Sequence, residues 1–486
     1  MALKPDSISS LKDLEKAIAR DLELLCYPPK PWTREILGRG GSPVSDVLIV
    51  GAGMAGLTVS FALLRQGINR LRLIDHAKVG KEGPWATYAR MLTLRSPNHL
   101  SGPAMGLPNL TFRAWYEATH GSSAWASLGK IPRLVWMDYL LWYRRVLSLP
   151  VENGLRLLSV KPSVHGLECR LIHNDGQEEI ATTRKLVLAT GREGQAHPRI
   201  PEMLRPHLGK TVWHASDDIN FEALKGKNVA VVGVAASAVD NAATAIEAGA
   251  NHVTLLVRAN SVPRVNKPKG ASFPGFVEGF SKLKPSMRFK FMDYMAGKRI
   301  PPPRDSVQRL FKNSNVSMWL GTQITGAETN GEQLRLITSK GNITVDAVIL
   351  GTGFYIDMTA ADELRPFLSK IMTHADLLNG EPINEDNEWL KFPALSSSFQ
   401  YQERINGSAP YLRNIYCFSY AAAMSHGNVA GDIPAISDGA DRLSRGLVGD
   451  LFSEDAEFHW KSTCSYEDFE LLGDEIPDIS DWDPPL

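Results

Sequence analysis

The sequence predicts an α/β fold built around two βαβ units, because the same local pattern occurs twice in the 486-residue chain. In each copy a short hydrophobic strand runs into a glycine-rich turn that opens a helix. The turns begin at Gly51 and Gly233, and each is followed by a second hydrophobic strand. This duplication indicates two Rossmann-like domains and therefore two dinucleotides in one protein.

The first turn carries glycines in G-x-G-x-x-G spacing at Gly51, Gly53 and Gly56. In this motif the first glycine permits the sharp turn, the second lets backbone approach a pyrophosphate, and the third permits close packing of helix on strand. The next strand ends in Asp75, a carboxylate placed to accept hydrogen bonds from a ribose 2′-hydroxyl. Strand, turn, helix, second strand and acid together are far more specific than a glycine motif alone.

The second turn departs from this pattern. Ala235 stands where the middle glycine belongs, and Ala238 takes the third position. The methyl group of Ala235 would crowd a pyrophosphate, so the alternative is an inherited fold that has lost its ligand. The following strand ends in Arg258, whose guanidinium suits a 2′-phosphate. A ligand here is therefore expected to be NADPH rather than NADH.

A second repeated pattern predicts how the two units are connected. Lys185–Arg192 and Asp346–Tyr355 are each a short apolar strand followed by a threonine-glycine turn, and they bracket residues 195–345. The second nucleotide domain is therefore predicted to be inserted within the first. The predicted boundaries are a helical arm at 1–45, the first domain at 46–222 and 346–450, the inserted domain at 223–345, and an acidic tail at 451–486.

The amino-acid composition excludes several classes of binding partner. The chain has 53 basic and 53 acidic side chains, which gives no attraction toward nucleic acid or an anionic membrane. No apolar run approaches the roughly 20 residues that span a bilayer, and the cytoplasm is the expected location. The four cysteines lack the close pairing that a disulfide reductase requires, and no metal site is predicted.

Two helices are predicted outside the nucleotide units. Apolar residues at helical spacing between Ser10 and Leu25 predict a helix capped by Ser10 and Asp13. A helix at about 135–147 would carry an aromatic face, and core packing is favoured over substrate contact for it. Near the carboxyl end, Pro434 suits the first position of a helix whose N-terminus points at the first cofactor.

These motifs resemble those of class B flavoprotein monooxygenases, a group that contains flavin-containing monooxygenases, Baeyer–Villiger monooxygenases and amino-acid N-hydroxylases. The resemblance covers roughly residues 45–445. It implies that FAD binds the first turn and NADPH the second. The implied cofactor-binding residues are Gly51, Gly53, Met54, Ala55, Gly56, Asp75, His76, Trp85, Arg95, Thr190, Gly191, Gly233, Ser237, Ala238, Arg258, Gly353, Phe354, His426 and Asp432.

The resemblance also implies the chemistry. NADPH reduces FAD, the reduced flavin adds O₂ as a C4a-(hydro)peroxyflavin, and one oxygen passes to a small organic substrate. Residues 92–97, 131–142 and 212–217 resemble the N-hydroxylases, which favours oxidation of nitrogen or another heteroatom. Gly209 and His214 only partly match the Baeyer–Villiger fingerprint, so ketone oxygenation is the alternative. A flavin-binding sensor or scaffold with little turnover is a further alternative, and a homo-oligomer is expected.

Two residues are candidate catalytic groups. Arg264 could stabilise the oxyanion that develops when an anionic peroxide attacks a ketone, although a phosphate or surface contact is favoured for it. His214, like His426, could donate a hydrogen bond to flavin or NADP, although a structural role is favoured for each.

Overall fold

The computed structural model describes residues 10–472 and Glu475. The described strands are β1 Ser45–Val50, β2 Leu71–Asp75, β3 Thr93–Pro97, β4 Lys130–Pro132, β5 Val151–Asn153, β6 Leu155–Ser163, β7 Gly166–His173, β8 Glu178–Leu188, β9 Ala196–Pro198, β10 Val212–His214, β11 Asn228–Val232, β12 His252–Val257, β13 Val316–Leu320, β14 Ile324–Asn330, β15 Gln333–Thr338, β16 Gly341–Val345, β17 Ala347–Leu350, β18 Phe354–Ile356 and β19 Ile415–Cys417.

The described α-helices are α1 Leu11–Leu24, α2 Met54–Leu64, α3 Phe112–His120, α4 Ser122–Ser127, α5 Arg133–Val146, α6 Ala236–Glu247, α7 Pro274–Gly279, α8 Pro285–Gly297, α9 Arg304–Phe311, α10 His374–Leu377, α11 Ala423–His426, α12 Ile436–Glu454 and α13 Ala456–Cys464. Short 3₁₀ segments occupy several of the connections.

The larger sheet has the order β5-β2-β1-β8-β7-β6, with β19 beside β8. The pairs β1–β2, β1–β8 and β8–β19 are parallel, whereas β6, β7 and β8 pair antiparallel. The middle of β1 is wholly buried, as expected for a parallel strand covered on both faces. This sheet carries the first glycine turn at the carboxyl end of β1.

The second sheet has the order β10-β17-β11-β12-β13, and all its pairings are parallel. It carries the second glycine turn after β11. A separate antiparallel ribbon, β14-β15-β16, precedes β17. The chain therefore leaves the larger sheet after β8, builds the second sheet, and returns to the larger sheet at β19.

The segment between β12 and β13 holds α7, α8 and α9, and it reaches from the second unit onto the first. Phe280 and Met292 of this segment belong to the hydrophobic core of the larger sheet. In α9, Arg309 donates to Glu247 of α6 and to the carbonyl oxygen of Arg90. The two units are thus in direct contact through this segment.

The predicted flanking elements are present where they can be described. Ser10 caps α1 by accepting a hydrogen bond from the backbone N–H of Asp13, and Leu14 and Ile18 are buried. On α5, Trp136, Tyr139 and Tyr143 are buried in the core, which confirms the packing role of that aromatic face.

The carboxyl-terminal region differs in extent from the predicted tail. Helix α12 runs across the predicted boundary between residues 450 and 451, and α13 continues to Cys464. Residues 473, 474 and 476–486 of the predicted tail lie outside the described residues. Within the described part of the chain, no helix combines the length and apolar character needed to cross a bilayer.

Candidate functional site

The first glycine turn has the geometry that the motif predicts. Gly51 has φ of +101°, and a Cβ there would lie 2.5 Å from the carbonyl oxygen of Ala189. A Cβ on Gly56 would lie 1.8 Å from the carbonyl oxygen of Gly51. Gly53 is different, because a Cβ there would approach the chain only at Gly83 Cα, 4.0 Å away. Gly51 and Gly56 therefore serve the fold, whereas Gly53 leaves space beside the turn.

Asp75 at the end of β2 is buried against this turn. Its Oδ2 accepts a hydrogen bond of 2.7 Å from the backbone N–H of Ala52, and its Oδ1 accepts one of 2.8 Å from Ala77. The carboxylate therefore holds the turn in place. His76 lies on the open side, with its Nδ1 3.6 Å from Asp75 Oδ1.

A polar network that the sequence did not reveal lies beside the same turn. Glu82 is 3% exposed and accepts hydrogen bonds from Gly80 N, Asn153 Nδ2 and Arg144 Nη1. A small cavity here is lined by Ala52, Gly53, Leu57, Glu82, Met137, Leu140, Leu141 and Arg144. These residues come from separate segments, so no local motif could have predicted the network.

The remaining residues predicted for the first cofactor surround this turn. Met54 and Ala55 form the first turn of α2. The Trp85 ring packs edge to face on Trp136, with ring centres 6.4 Å apart, and its carbonyl oxygen accepts a hydrogen bond from Arg133. Thr190 and Gly191 follow β8, and the carbonyl oxygen of Gly191 accepts a bond of 3.2 Å from Tyr420 N.

The second turn repeats the backbone of the first. Gly233 has φ of +113°, and a Cβ there would lie 2.7 Å from the carbonyl oxygen of Gly351. Helix α6 begins directly after Ala235, which is exposed. Ser237 is exposed in the first turn of α6, whereas Ala238 is buried. The methyl group of Ala235 is therefore accommodated on the exposed side of the turn, directly before α6.

Both arginines predicted for the second unit are exposed. Arg258 follows β12, and Arg264 lies in the loop beyond it. In the part of the chain that the structure describes, neither side chain has a hydrogen bond or ion pair with another residue. Arg258 is therefore available to an anion bound at the second turn. Arg264 matches the surface or phosphate position that the sequence favoured.

Arg95 lies between the two units. Its Nη2 donates a hydrogen bond of 3.0 Å to the carbonyl oxygen of Pro301, which belongs to the segment between β12 and β13. Burial lowers the pKa of Arg95, while the carboxylates of Asp240, Asp305 and Asp432 act in the opposite direction. Asp432 and Asp240 belong to different units, so Arg95 lies at the junction between the two units.

The two predicted histidines are buried and bonded within the chain. His214 donates from Nε2 to the carbonyl oxygen of Gly353 at 3.1 Å, and its Nδ1 lies 2.7 Å from Ser216 Oγ. The His214 ring also packs edge to face on Phe354, and burial lowers its pKa. His426 donates from Nε2 to the carbonyl oxygen of Ser396 at 2.9 Å. These contacts favour a structural role for both rings.

Comparisons with known proteins support one family. A family model described as pyridine nucleotide-disulphide oxidoreductase matches residues 48–300. The chain is 34% identical over 465 residues to an FAD-dependent urate hydroxylase from Xanthomonas campestris, covering 96% of this chain and 98% of that protein. The chain belongs to the pyridine nucleotide-disulphide oxidoreductase family. It is a class B flavoprotein monooxygenase, as predicted, and it is therefore an enzyme.

Solved structures show the same fold. An ornithine hydroxylase from Pseudomonas aeruginosa matches with a TM-score of 0.66 at 18% identity, covering 84% of this chain and all of that one. An ornithine N-hydroxylase from a Kutzneria species, described with reduced FAD, NADP⁺ and L-ornithine, matches with a TM-score of 0.66 at 15% identity and the same 84% of this chain. The predicted cofactor pair, FAD with NADPH, agrees with these comparisons.

The family description includes disulphide oxidoreductases, whose chemistry requires a pair of cysteines. Cys169 and Cys417 are buried, Cys26 and Cys464 are exposed, and all four are free. The chain therefore offers no cysteine pair for thiol–disulfide exchange.

Proposed function

We propose that the enzyme is an NADPH-dependent FAD monooxygenase in which the first βαβ unit holds FAD and the second holds NADPH. In this reading the NADPH domain is inserted within the FAD domain, between β8 and β19. The observation that carries the proposal is the pair of glycine turns, each at the carboxyl end of a parallel strand and at the start of a helix. Such turns are where dinucleotide pyrophosphates bind.

The first turn fits FAD. Gly53 leaves the space that close approach of a pyrophosphate requires, and α2 has no side-chain cap that would compete for its first N–H groups. Each oxygen of Asp75 has a further lone pair beyond its bond to backbone, so the carboxylate can still accept a ribose hydroxyl. Trp85, Thr190 and Gly191 would hold the remainder of the cofactor.

The second turn fits NADPH, although Ala235 replaces the middle glycine of the motif. Arg258 is exposed and would pair with the 2′-phosphate, and α6 also starts without a side-chain cap. The methyl group of Ala235 would keep the pyrophosphate farther from the backbone of the turn and so weaken binding. If this steric effect abolished NADPH binding, the protein would act as a flavin-binding sensor or scaffold instead.

When bound, reduced flavin supplies the activation of O₂, and the chain binds, orients and shields the reactants. Arg95 would hold the junction between the two cofactors through its bond to Pro301. The buried network of Glu82, Arg144 and Asn153 would support the first glycine turn, because Glu82 and Arg144 line the same small cavity as Ala52 and Gly53.

For the substrate, the relative with 34% identity favours hydroxylation of a planar, nitrogen-rich heterocycle such as urate. Nitrogen oxidation is the second candidate, because residues 92–97 and 131–142 resemble the N-hydroxylases. Ketone oxygenation is less favoured, since Arg264 lies exposed in a loop.

The test is turnover of the FAD-loaded enzyme with NADPH and ¹⁸O₂, using urate, L-ornithine and cyclohexanone as representatives of the three classes. We expect urate to accelerate NADPH oxidation and its product to gain one labelled oxygen. A labelled product from ornithine or cyclohexanone alone would move the assignment to that class. Slow NADPH oxidation with no labelled product in any reaction would contradict the proposed function.

A further inference from the structure

We infer that Arg288 on α8 forms, with the polar groups around it, a binding subsite for a small planar anion that is the substrate of this enzyme. The inference rests on the proposed function and adds the charge and shape of the substrate to it.

Arg288 is a buried cation without a carboxylate partner. The residue is 9% exposed, and its Nη1 donates a hydrogen bond of 2.9 Å to the carbonyl oxygen of Ser425. Its Nε is buried without a hydrogen-bond partner. Within residues 10–472, Arg288 forms no ion pair. Burying an unpaired charge is strongly unfavourable, so a bound anion would stabilise this arrangement.

The surrounding polar groups add hydrogen-bonding capacity without adding negative charge. His374 is fully buried, its Nε2 lies 3.0 Å from Ser425 Oγ, and its Nδ1 has no hydrogen-bond partner. Burial lowers the pKa of His374 and of His426 to about 3, so both rings are neutral near pH 7. The nearby Arg442 differs from Arg288, because its Nη2 lies 3.5 Å from the carboxylate of Glu278.

This cluster lies where the two nucleotide units meet. Arg288 comes from the segment between β12 and β13, whereas Ser425 comes from α11, beyond β19 of the larger sheet. Shortly before α11, Tyr420 bonds to Gly191 in the turn predicted for FAD. Shortly after α11, Asp432 is among the carboxylates that act on Arg95. Along the chain, α11 therefore lies between a residue that bonds to the turn predicted for FAD and a residue that acts on Arg95.

Aromatic rings beside the cluster favour a planar ligand. Phe276 and Phe280 lie with ring centres 5.0 Å apart, and a Cβ on Gly427, the residue after His426, would lie within 3.7 Å of both rings. Phe291, one turn along α8 from Arg288, packs against Phe276 and is 39% exposed. Aromatic rings in this neighbourhood suit a flat anion, which the guanidinium of Arg288 can bind through two parallel hydrogen bonds.

The experiment is calorimetric titration of the full-length, FAD-loaded protein with urate, benzoate and benzamide. Benzoate is a simple planar anion, and benzamide is its neutral isostere. We expect urate and benzoate to bind and benzamide to bind at least about tenfold more weakly. Arg288→Met should weaken both anions by about 30-fold or more, and Arg288→Lys should recover part of the loss.

Lys290→Met is the matched control, because Lys290 is an exposed cation on the same helix. FAD content and melting temperature show whether each variant is folded, and anions should raise the melting temperature of the wild type but not of Arg288→Met. Unchanged anion affinity in folded Arg288→Met, or equal binding of benzoate and benzamide, would overturn the subsite.

The same titrations separate the subsite from the proposed function. If benzoate binds in an Arg288-dependent way but urate is neither bound nor oxidised, the urate assignment fails and the anion subsite stands. If Arg288→Met oxidises urate with an unchanged KM, the proposed function stands and the subsite is wrong.

Discussion

The two βαβ units share one backbone geometry but differ at the middle position of the glycine turn. Gly53 has φ of −69° and ψ of −173°, and Ala235 has φ of −74° and ψ of 177°. This extended conformation is open to any residue. The backbone therefore does not demand glycine at this position. Under the proposed function, the difference between Gly53 and Ala235 affects the bound dinucleotide and not the fold.

The third position shows the opposite behaviour, because there the chain itself requires space. In the first unit a Cβ on Gly56 would collide with the carbonyl oxygen of Gly51. In the second unit Ala238 carries that Cβ, and glycine appears instead on the neighbouring strand end, where a Cβ on Gly351 would lie 2.4 Å from Ala238 Cβ. Close packing between helix and strand thus requires a glycine in both units. The glycine is on the helix in the first unit, at Gly56, and on the strand end in the second, at Gly351.

The largest effect is expected from Gly56→Ala, because the new methyl group would lie 1.8 Å from backbone oxygen. We expect a loss of about 3 kcal/mol in the free energy of unfolding and loss of bound FAD. Denaturant unfolding and flavin absorbance measure both. Gly449→Ala is the control, since a Cβ there meets nothing within 4 Å. A Gly56→Ala protein as stable and yellow as the control would refute the packing role.

Arg258→Ala is expected to weaken NADPH by about 30-fold or more while changing NADH little, because a charge-assisted bond to the 2′-phosphate is lost. Steady-state KM values for the two nucleotides measure the difference. A similar loss for both nucleotides would show that Arg258 does not contact the 2′-phosphate.

Gly53→Ala sharpens the comparison at the middle position. The added methyl group would stay 4.0 Å from the nearest part of the chain, so we expect stability to change by less than about 1 kcal/mol. FAD affinity should fall about tenfold, as measured by flavin fluorescence titration of the apoprotein. Unchanged FAD affinity would place the pyrophosphate elsewhere.

Ala235→Gly is the reverse change in the second unit, and its expected effect is the smallest. Removing the methyl group should tighten NADPH by about three- to fivefold and speed flavin reduction at low NADPH. Rapid-mixing reduction rates as a function of NADPH concentration check this. A large gain in the maximal rate of flavin reduction would instead favour the alternative function, in which Ala235 limits NADPH binding and the protein is a flavin-binding sensor or scaffold with little turnover.

The sequence was informative wherever the relevant contacts are local. The glycine turns, the strands β1, β2, β11 and β12, and the caps of α1 depend on residues close together in the chain. The repeated strand and turn at Gly191 and Gly353 predicted an inserted second unit with boundaries at residues 223 and 345. Strands β10 and β17 lie outside those boundaries but belong to the second sheet, because β17 pairs parallel with β11 and β10 pairs parallel with β17, and the chain rejoins the larger sheet only at β19.

The groups that the sequence missed depend on distant segments. Glu82 meets Arg144 and Asn153 only after β2, α5 and β5 come together. Arg288 meets Ser425 across 137 positions of the chain. Neither residue lies in a motif, so tertiary packing alone reveals that one is a buried acid and the other a buried cation.

Under the proposed function, NADPH bound at the second turn reduces FAD bound at the first. The most direct measurement mixes the FAD-loaded enzyme anaerobically with NADPH or NADH in a stopped-flow spectrometer and follows the flavin absorbance. The assignment predicts rapid bleaching by NADPH and reduction at least about tenfold slower by an equal, subsaturating concentration of NADH. Flavin that stays oxidised with NADPH, or is bleached equally by both nucleotides, would contradict it.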